Sequence, residues 1–239
     1  MPRFFLENAA GSVLTIEGQD ARHIACSLRM VEGDTLIVCN GNGTDFECVL
    51  TAVSPEQVTL SVTATHDTRS EPTLAITLYQ GLPKGDKLEW IVQKAVELGV
   101  VRIVPVVCAR SIAKPSERDR KKAARWQKIA DEAAGQSGRG ILPQVEAPIS
   151  FKEAAARMAN TNTVVFYECG GTPLTDIAPT LTKEAAIFIG PEGGIAPDEI
   201  QTLTQNGAVL ATLGPRILRC ETAPIAALSA MMVLTDNMR

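Results

Sequence analysis

Hydrophobic and polar positions alternate with period two across residues 34–63, and the pattern changes character after residue 73. Phe46, Cys48 and Leu50 alternate with Asp45, Glu47 and Val49, and Val58, Leu60 and Val62 alternate with Thr59, Ser61 and Thr63, as in strands with one buried face. Asn40-Gly41-Asn42-Gly43 is a hairpin signal between two such runs, and residues 20–30 read as a short helix. Residues 1–70 therefore predict a small β-barrel, and the polar stretch 65–72 reads as a linker. Beyond it, short apolar runs at 74–78, 103–107, 164–167, 186–189 and 208–213 alternate with helical patterns. Uninterrupted apolar runs of this length suit parallel strands buried on both faces. Leu88, Ile91, Val92 and Ala95 line one face of a helix closed by Gly99, and Asp86 with Glu89 resembles a capping box at its start. A basic helix at about 117–134, a weak strand near Ile141 and a helix near 151–159 continue the series. The last segment, 221–237, is apolar on most sides and must be covered by the sheet or by a partner subunit. The class is α/β, with residues 71–239 as the second domain.

Two glycine-containing loops carry the candidate chemistry. Gly190-Pro191-Glu192-Gly193-Gly194 and the segment Leu213-Gly214-Pro215-Arg216-Ile217-Leu218-Arg219-Cys220-Glu221-Thr222 each follow a strand-like run and precede a helical one. Both are thus expected at the C-terminal edge of the sheet, where open α/β proteins bind ligands. Glycine lets backbone approach a ligand closely, and free N–H and C=O groups read an adenine or a ribose without side chains. Chain turning alone would explain one such loop, but two in tandem predict a pocket made of main chain. The chain has neither a phosphate-binding G-x-x-x-x-G-K-[ST] loop nor a dinucleotide G-x-G-x-x-G fingerprint.

Charge and cysteine content narrow the setting. The chain has 239 residues, and no apolar run approaches the roughly 20 residues that span a bilayer. With no export signal at the N-terminus, a soluble cytoplasmic protein is expected. Six cysteines lack any C-x-x-C pair, so reduced thiols are expected, and His23, Cys26 and His66 lack the clustering of a zinc site, so no metal is expected. The net charge of −4 divides unevenly: residues 1–71 carry −6, whereas residues 102–128 hold nine basic and two acidic side chains. Arg118, Arg120, Lys121, Lys122, Arg125 and Lys128 form a dense cluster that either neutralises phosphates or is a solvated helix face.

The two loops, together with Gln80-Gly81-Leu82-Pro83-Lys84-Gly85-Asp86-Lys87, Gln93-Lys94-Ala95-Val96-Glu97-Leu98-Gly99-Val100 and Arg125-Trp126-Gln127-Lys128-Ile129, resemble the bacterial small-subunit ribosomal RNA uridine-N3 methyltransferases of the SPOUT superfamily. The likeness extends to Pro2-Arg3-Phe4, His23-Ile24 and Leu28-Arg29-Met30, so it spans nearly the whole chain. It departs at Cys220, where the family usually has threonine, and at Ala223-Pro224. The resemblance implies a PUA-like RNA-binding barrel, then a SPOUT domain whose C-terminal chain forms a deep trefoil knot binding S-adenosylmethionine. It further implies a homodimer with the last helix at the interface.

On that resemblance, Gly190, Pro191, Glu192, Gly193, Leu213, Gly214, Ile217, Leu218 and Cys220 contact the methyl donor, with Tyr167 and Glu168 as a third wall. Arg219 stabilises charge on a uridine carbonyl, and Glu221 orients that arginine, acts as the base, or only caps the last helix. Lys84, Lys87, Lys122, Arg125 and Lys128, with Arg3, Arg22 and Arg29 of the acidic barrel, are the RNA candidates. Thiolate attack by Cys220 on uridine C6 would instead give C5 methylation. Ribose methylation, a non-catalytic RNA binder and a metabolic α/β enzyme are the other readings.

Overall fold

The computed structural model describes residues 1–112, 117–159 and 161–238, without the side chains of residues 117–121. Arg118, Arg120 and Lys121 of the basic cluster thus lie outside the described side chains. The chain forms two compact units, Met1–Glu71 with Ala134–Leu142, and Pro72–Ala133 with Pro143–Arg239.

The first unit is a curled five-stranded sheet. Its strands are β1 (Arg3–Phe5), β2 (Val13–Glu17), β3 (Thr35–Cys39), β4 (Thr44–Val53) and β5 (Gln57–Asp67), in the order β1-β3-β4-β5-β2. β1 joins β3 in parallel and the remaining pairs are antiparallel. The period-two positions Phe46, Cys48, Leu50, Val58 and Leu60 all enter one core with Leu14, Ile16, Leu36 and Val38. Between β3 and β4 the Asn40 side-chain oxygen accepts the N–H groups of Asn42 at 2.9 Å and Thr44 at 3.1 Å. The expected helix begins as α1 (Gly18–Arg22) and widens into a π-turn over His23–Ser27.

Three expectations need correction here. Residues 65–67 are not linker, because Thr65, His66 and Asp67 complete β5 opposite Phe46, Asp45 and Thr44. Polar composition signals solvent exposure, yet a strand's backbone ladder does not require apolar side chains. Glu71 is equally tied down: its carboxylate accepts from Arg139 at 2.7 Å and from the N–H groups of Gly140 at 2.8 Å and Ile141 at 3.1 Å. Ile141 makes only an isolated antiparallel bridge to Asn42, so it belongs to the first unit and not to the α/β series.

Arg3 is the third correction. Its guanidinium is bidentate to Asp45 at 2.6 and 2.7 Å and donates to the Arg139 carbonyl at 3.3 Å, with Asp45 only 2% exposed. A cation only 10% exposed and already held by two carboxylate oxygens and a carbonyl is poorly placed to meet phosphates. Burial would raise the Asp45 pKa, but hydrogen bonds from Arg3 and Thr68 bring it below the ordinary value of 3.8. Asp45→Ala leaves the largely covered Arg3 without its carboxylate partner and is expected to cost about 3 kcal/mol in denaturant unfolding, the lower end for breaking a buried pair. Because the folded-state pKa is depressed, this contribution is present at neutral pH and disappears as pH falls below about 4 through the folded value.

The second unit is an all-parallel sheet flanked by helices. In chain order it comprises β6 (Ala75–Gly81), α2 (Lys87–Glu97), β7 (Arg102–Val107), α3 (Glu117–Gln136), β8 (Gln144–Val145), β9 (Ile149–Ser150), α4 (Phe151–Met158), β10 (Thr163–Phe166) and β11 (Thr172–Pro173). There follow α5 (Leu174–Ile177), β12 (Glu184–Ile189), α6 (Pro197–Gln205), β13 (Val209–Thr212) and α7 (Thr222–Leu234). The strand order is β11-β13-β10-β12-β6-β7-β8, with β9 on β7. Tyr79, Val104, Val106, Val165 and Phe188 form one core with Ala154 and Met158 of α4 and Leu203 of α6. α7 buries Ala227, Leu228, Met231 and Met232 and packs on α2, while Val233 and Leu234 remain exposed. The capping box at α2 does not form. Asp86 has φ −98° and ψ 11° and its side chain caps nothing, because that backbone does not aim a carboxylate at the first turn. The Glu89 carboxylate instead accepts from Arg125 at 2.7 Å. Among the described residues no helix is long and apolar enough to cross a membrane.

Candidate functional site

β13, β10 and β12 are neighbours and run parallel, so the loops after Thr212, Phe166 and Ile189 leave the sheet at one edge. A cavity of about 830 Å³ lies there, within the range of small-molecule sites. It is lined by Tyr167, Glu168, Gly190, Pro191, Glu192, Gly193, Leu213, Gly214, Ile217, Leu218 and Cys220, together with Arg219 and Glu221. Parallel pairing brings together side chains that are more than 40 residues apart in sequence.

Three of the glycines, Gly81, Gly193 and Gly194, also serve to pack neighbouring chain segments. A Cβ on Gly193 would stand 2.9 Å from the Arg110 carbonyl oxygen, one on Gly194 would run into the Glu168 carboxylate, and one on Gly81 would strike the Pro191 backbone. Their close approaches are to neighbouring chain segments, so they set the cavity's shape by letting loops stack. Arg110 reinforces this by donating to the Gly193 carbonyl at 3.2 Å. The buried Glu199 carboxylate joins the same two loops, accepting from Ala109 N–H at 2.8 Å and Ala196 N–H at 3.0 Å. Sequence reasoning missed Arg110 and Glu199. Arg110 lies just past the strand-like run 103–107, and that placement at a strand end was the available signal.

Lys87 is the main relocation. Expected at an RNA surface, it lines the cavity instead, with Nζ 3.1 Å from Glu192 Oε1 and 3.1 Å from Glu221 Oε2. The start of α2 sits beside both loops, and the Lys84 N–H also donates to Glu192 Oε1 at 3.1 Å. Those two carboxylate hydrogen bonds hold the Lys87 pKa above the usual lysine value. Glu192 lies below the usual glutamate value: burial opposes ionisation, but its own N–H, Lys87 and the Lys84 N–H outweigh it.

Cys220 Sγ donates to Glu221 Oε2 at 3.1 Å, which with Lys87 holds Glu221 below the ordinary glutamate value. Burial, aided by that bond to a carboxylate, pushes the thiol pKa up to about 12. A thiol so protonated is a poor nucleophile, since only the thiolate attacks. Glu221 makes no side-chain cap to α7, so its carboxylate is committed to the cavity and not to the helix end. Arg219 is exposed and lines the same cavity.

The other basic candidates lie elsewhere. Lys84, Arg22 and Arg29 have exposed side chains. Arg125 is 66% exposed while bound to Glu89, and Lys128 is 68% exposed with Glu132 at 3.9 Å. Within the same motif Trp126 is buried and Gln127 binds the Pro143 carbonyl and the Val145 N–H, so that segment alternates structural and surface positions.

Family models agree with this division of labour. A model described as an RNA methyltransferase domain matches residues 69–232, and one described as an RNA methyltransferase PUA domain matches residues 16–63. Fold and site therefore define an RNA methyltransferase with a PUA module. The chain is 39% identical to ribosomal RNA small subunit methyltransferase E of Bacillus subtilis (strain 168), covering 100% of this chain and 99% of that protein. It is 32% identical to the Mycobacterium bovis protein of the same name, over 95% of this chain and 88% of the relative. A solved structure of ribosomal RNA small subunit methyltransferase E from Neisseria gonorrhoeae, bound to S-adenosyl methionine, superposes with a TM-score of 0.88 at 34% identity, covering 98% of each chain. The chain belongs to the ribosomal RNA small subunit methyltransferase E family.

Proposed function

We propose that this protein transfers a methyl group from S-adenosylmethionine to N3 of one uridine in small-subunit ribosomal RNA. The observation that carries the reading is the cavity at the ends of β10, β12 and β13, into which the Arg219-Cys220-Glu221 segment and Lys87 converge. Its size suits the donor, and carboxylates from Glu168, Glu192 and Glu221 on its walls suit a sulfonium cation. When bound, the donor supplies an electrophilic methyl group. Uridine N3 must lose its proton to attack, so the protein's task is to hold the base in line and stabilise the uridylate. Arg219 provides a cation for that charge, and the ionised Glu221 orients the Lys87 ammonium at 3.1 Å. A carboxylate held below its usual pKa is a weak base, which favours orientation over proton abstraction. The protonated state of Cys220 speaks against C5 methylation through a covalent adduct.

The target base is expected to leave its RNA surroundings to enter the pocket. Lys122, Arg125 and Lys128, with Lys84, Arg22 and Arg29, are proposed to meet phosphates. Replacing Lys122, Arg125 and Lys128 together by glutamate is expected to weaken RNA binding and to lower the salt slope by about 0.7–0.9 per lost phosphate contact, with donor affinity unchanged. An unchanged slope would show these residues to be a solvated face. β13 enters between β10 and β11, both earlier in the chain, which supports a knotted passage of the C-terminal segment. The exposed Val233 and Leu234 on α7 support a homodimer through that helix. RNA from a deletion strain, digested and analysed by mass spectrometry, tests the whole reading: loss of N3-methyluridine is expected, and an unchanged nucleoside profile would refute it.

A further inference from the structure

Deprotonation at N3 spreads negative charge over both flanking carbonyl oxygens of uridine, so a site stabilising the uridylate is best served by two donors. Arg219 is one. The Lys87 ammonium has three N–H bonds, of which Glu192 and Glu221 take two at 3.1 Å each. Among the described residues the third has no closer acceptor than Cys220 Sγ, at 3.9 Å, a weak partner that an incoming oxygen can replace. The two carboxylates come from different loops, so they fix the lysine head between the glycine loop and the segment that carries Arg219.

Resting on the N3 reading above, we infer that Lys87 is a catalytic residue that donates its third N–H to a carbonyl oxygen of the target uridine as N3 loses its proton. The groups facing it are Glu192 on the glycine loop and Cys220 and Glu221 ahead of α7, while Arg216 and Arg219 line the same cavity. The two carboxylates keep the lysine charged through neutral and alkaline assays and prevent it from acting as a base. The proton leaves to solvent, the N3 electron pair forms the new N–CH₃ bond, and the C–S bond of the sulfonium breaks with its electrons passing to sulfur.

The test uses the full-length protein, Lys87→Met and Lys87→Arg, with a ribosomal RNA fragment containing uridine or the more N3-acidic 5-fluorouridine at the target. Product is identified by mass spectrometry and donor affinity is measured by calorimetry. Lys87→Met is expected to lose about 100-fold or more in kcat, the scale for removing one preorganised donor. Donor affinity should hold within about threefold, a difference worth under about 1 kcal/mol. The deficit should shrink at alkaline pH and on 5-fluorouridine, because a substrate that ionises by itself needs the cation less, and Lys87→Arg should recover part of the rate. A purely structural role would not make the defect depend on substrate acidity. Near wild-type turnover in Lys87→Met, a deficit indifferent to N3 acidity, or collapse of donor affinity would each overturn the assignment. A wild-type product other than N3-methyluridine would overturn the N3 reading itself, and with it the assignment.

Discussion

Gly193→Val is expected to weaken binding of S-adenosylmethionine by about 10- to 100-fold while the second unit remains folded. The added Cβ would lie 2.9 Å from the Arg110 carbonyl oxygen and 3.0 Å from its Cβ, a contact that only a shift of one loop relieves. Overpacking of this kind costs about 1–3 kcal/mol. Because the strained loop is itself the cavity wall, that cost translates into about 10- to 100-fold in affinity. Gly214→Ala is the informative comparison. Gly214 has φ +95° and a Cβ added there would meet nothing within 4 Å, so alanine introduces only backbone strain of about 1–2 kcal/mol and no clash. Calorimetry on both variants, with thermal unfolding as the control, checks the ranking. Wild-type donor affinity in Gly193→Val would remove this loop from the site.

Arg219→Ala and Cys220→Ser are expected to behave in opposite ways although they are adjacent. Loss of the exposed Arg219 cation should cost about 10²–10³ in kcat with donor affinity largely kept, because its interaction is strongest in the transition state. Cys220→Ser should retain most activity: a hydroxyl can donate to Glu221 as the thiol does at 3.1 Å, and the loop position is unchanged. Covalent C5 chemistry reverses this order, with the serine variant dead and 5-methyluridine as the wild-type product. Wild-type activity should show no titration of this thiol near neutral pH, since burial and the bond to Glu221 push it up to about 12. Mass spectrometry of the nucleoside product beside both rates decides between the chemistries.

Much of the architecture is written into local sequence. The five apolar runs become β6, β7, β10, β12 and β13; the central ones are buried on both faces and have no polar side to display, whereas β13 nearer the edge buries only Ala211 and leaves Val209 exposed. Period two from 34 to 63 likewise marks β3, β4 and β5, since one face of that sheet is buried and the other wet. The two glycine loops were legible as strand-end loops, and the residues assigned to them line one cavity. Illegible were the partners of charged residues. Arg3 and Asp45 are 42 residues apart, and Lys87 and Glu192 are 105 apart, so nothing in the local pattern distinguishes a cation bound for phosphate from one paired inside the fold.

Sequence alone determined the main strands of both sheets, the helices α2, α3, α4 and α7 and the two glycine loops at the ends of β12 and β13, because side-chain periodicity and glycine placement are local consequences of backbone geometry. Only the tertiary structure decided that Lys87 faces Glu192 and Glu221, that Cys220 is held as a thiol, that Arg3 is tied to Asp45 and that Gly81, Gly193 and Gly194 serve loop packing. Each of these depends on which distant segments the parallel sheet brings into contact, and charge pairing and desolvation are set by that proximity, not by sequence spacing.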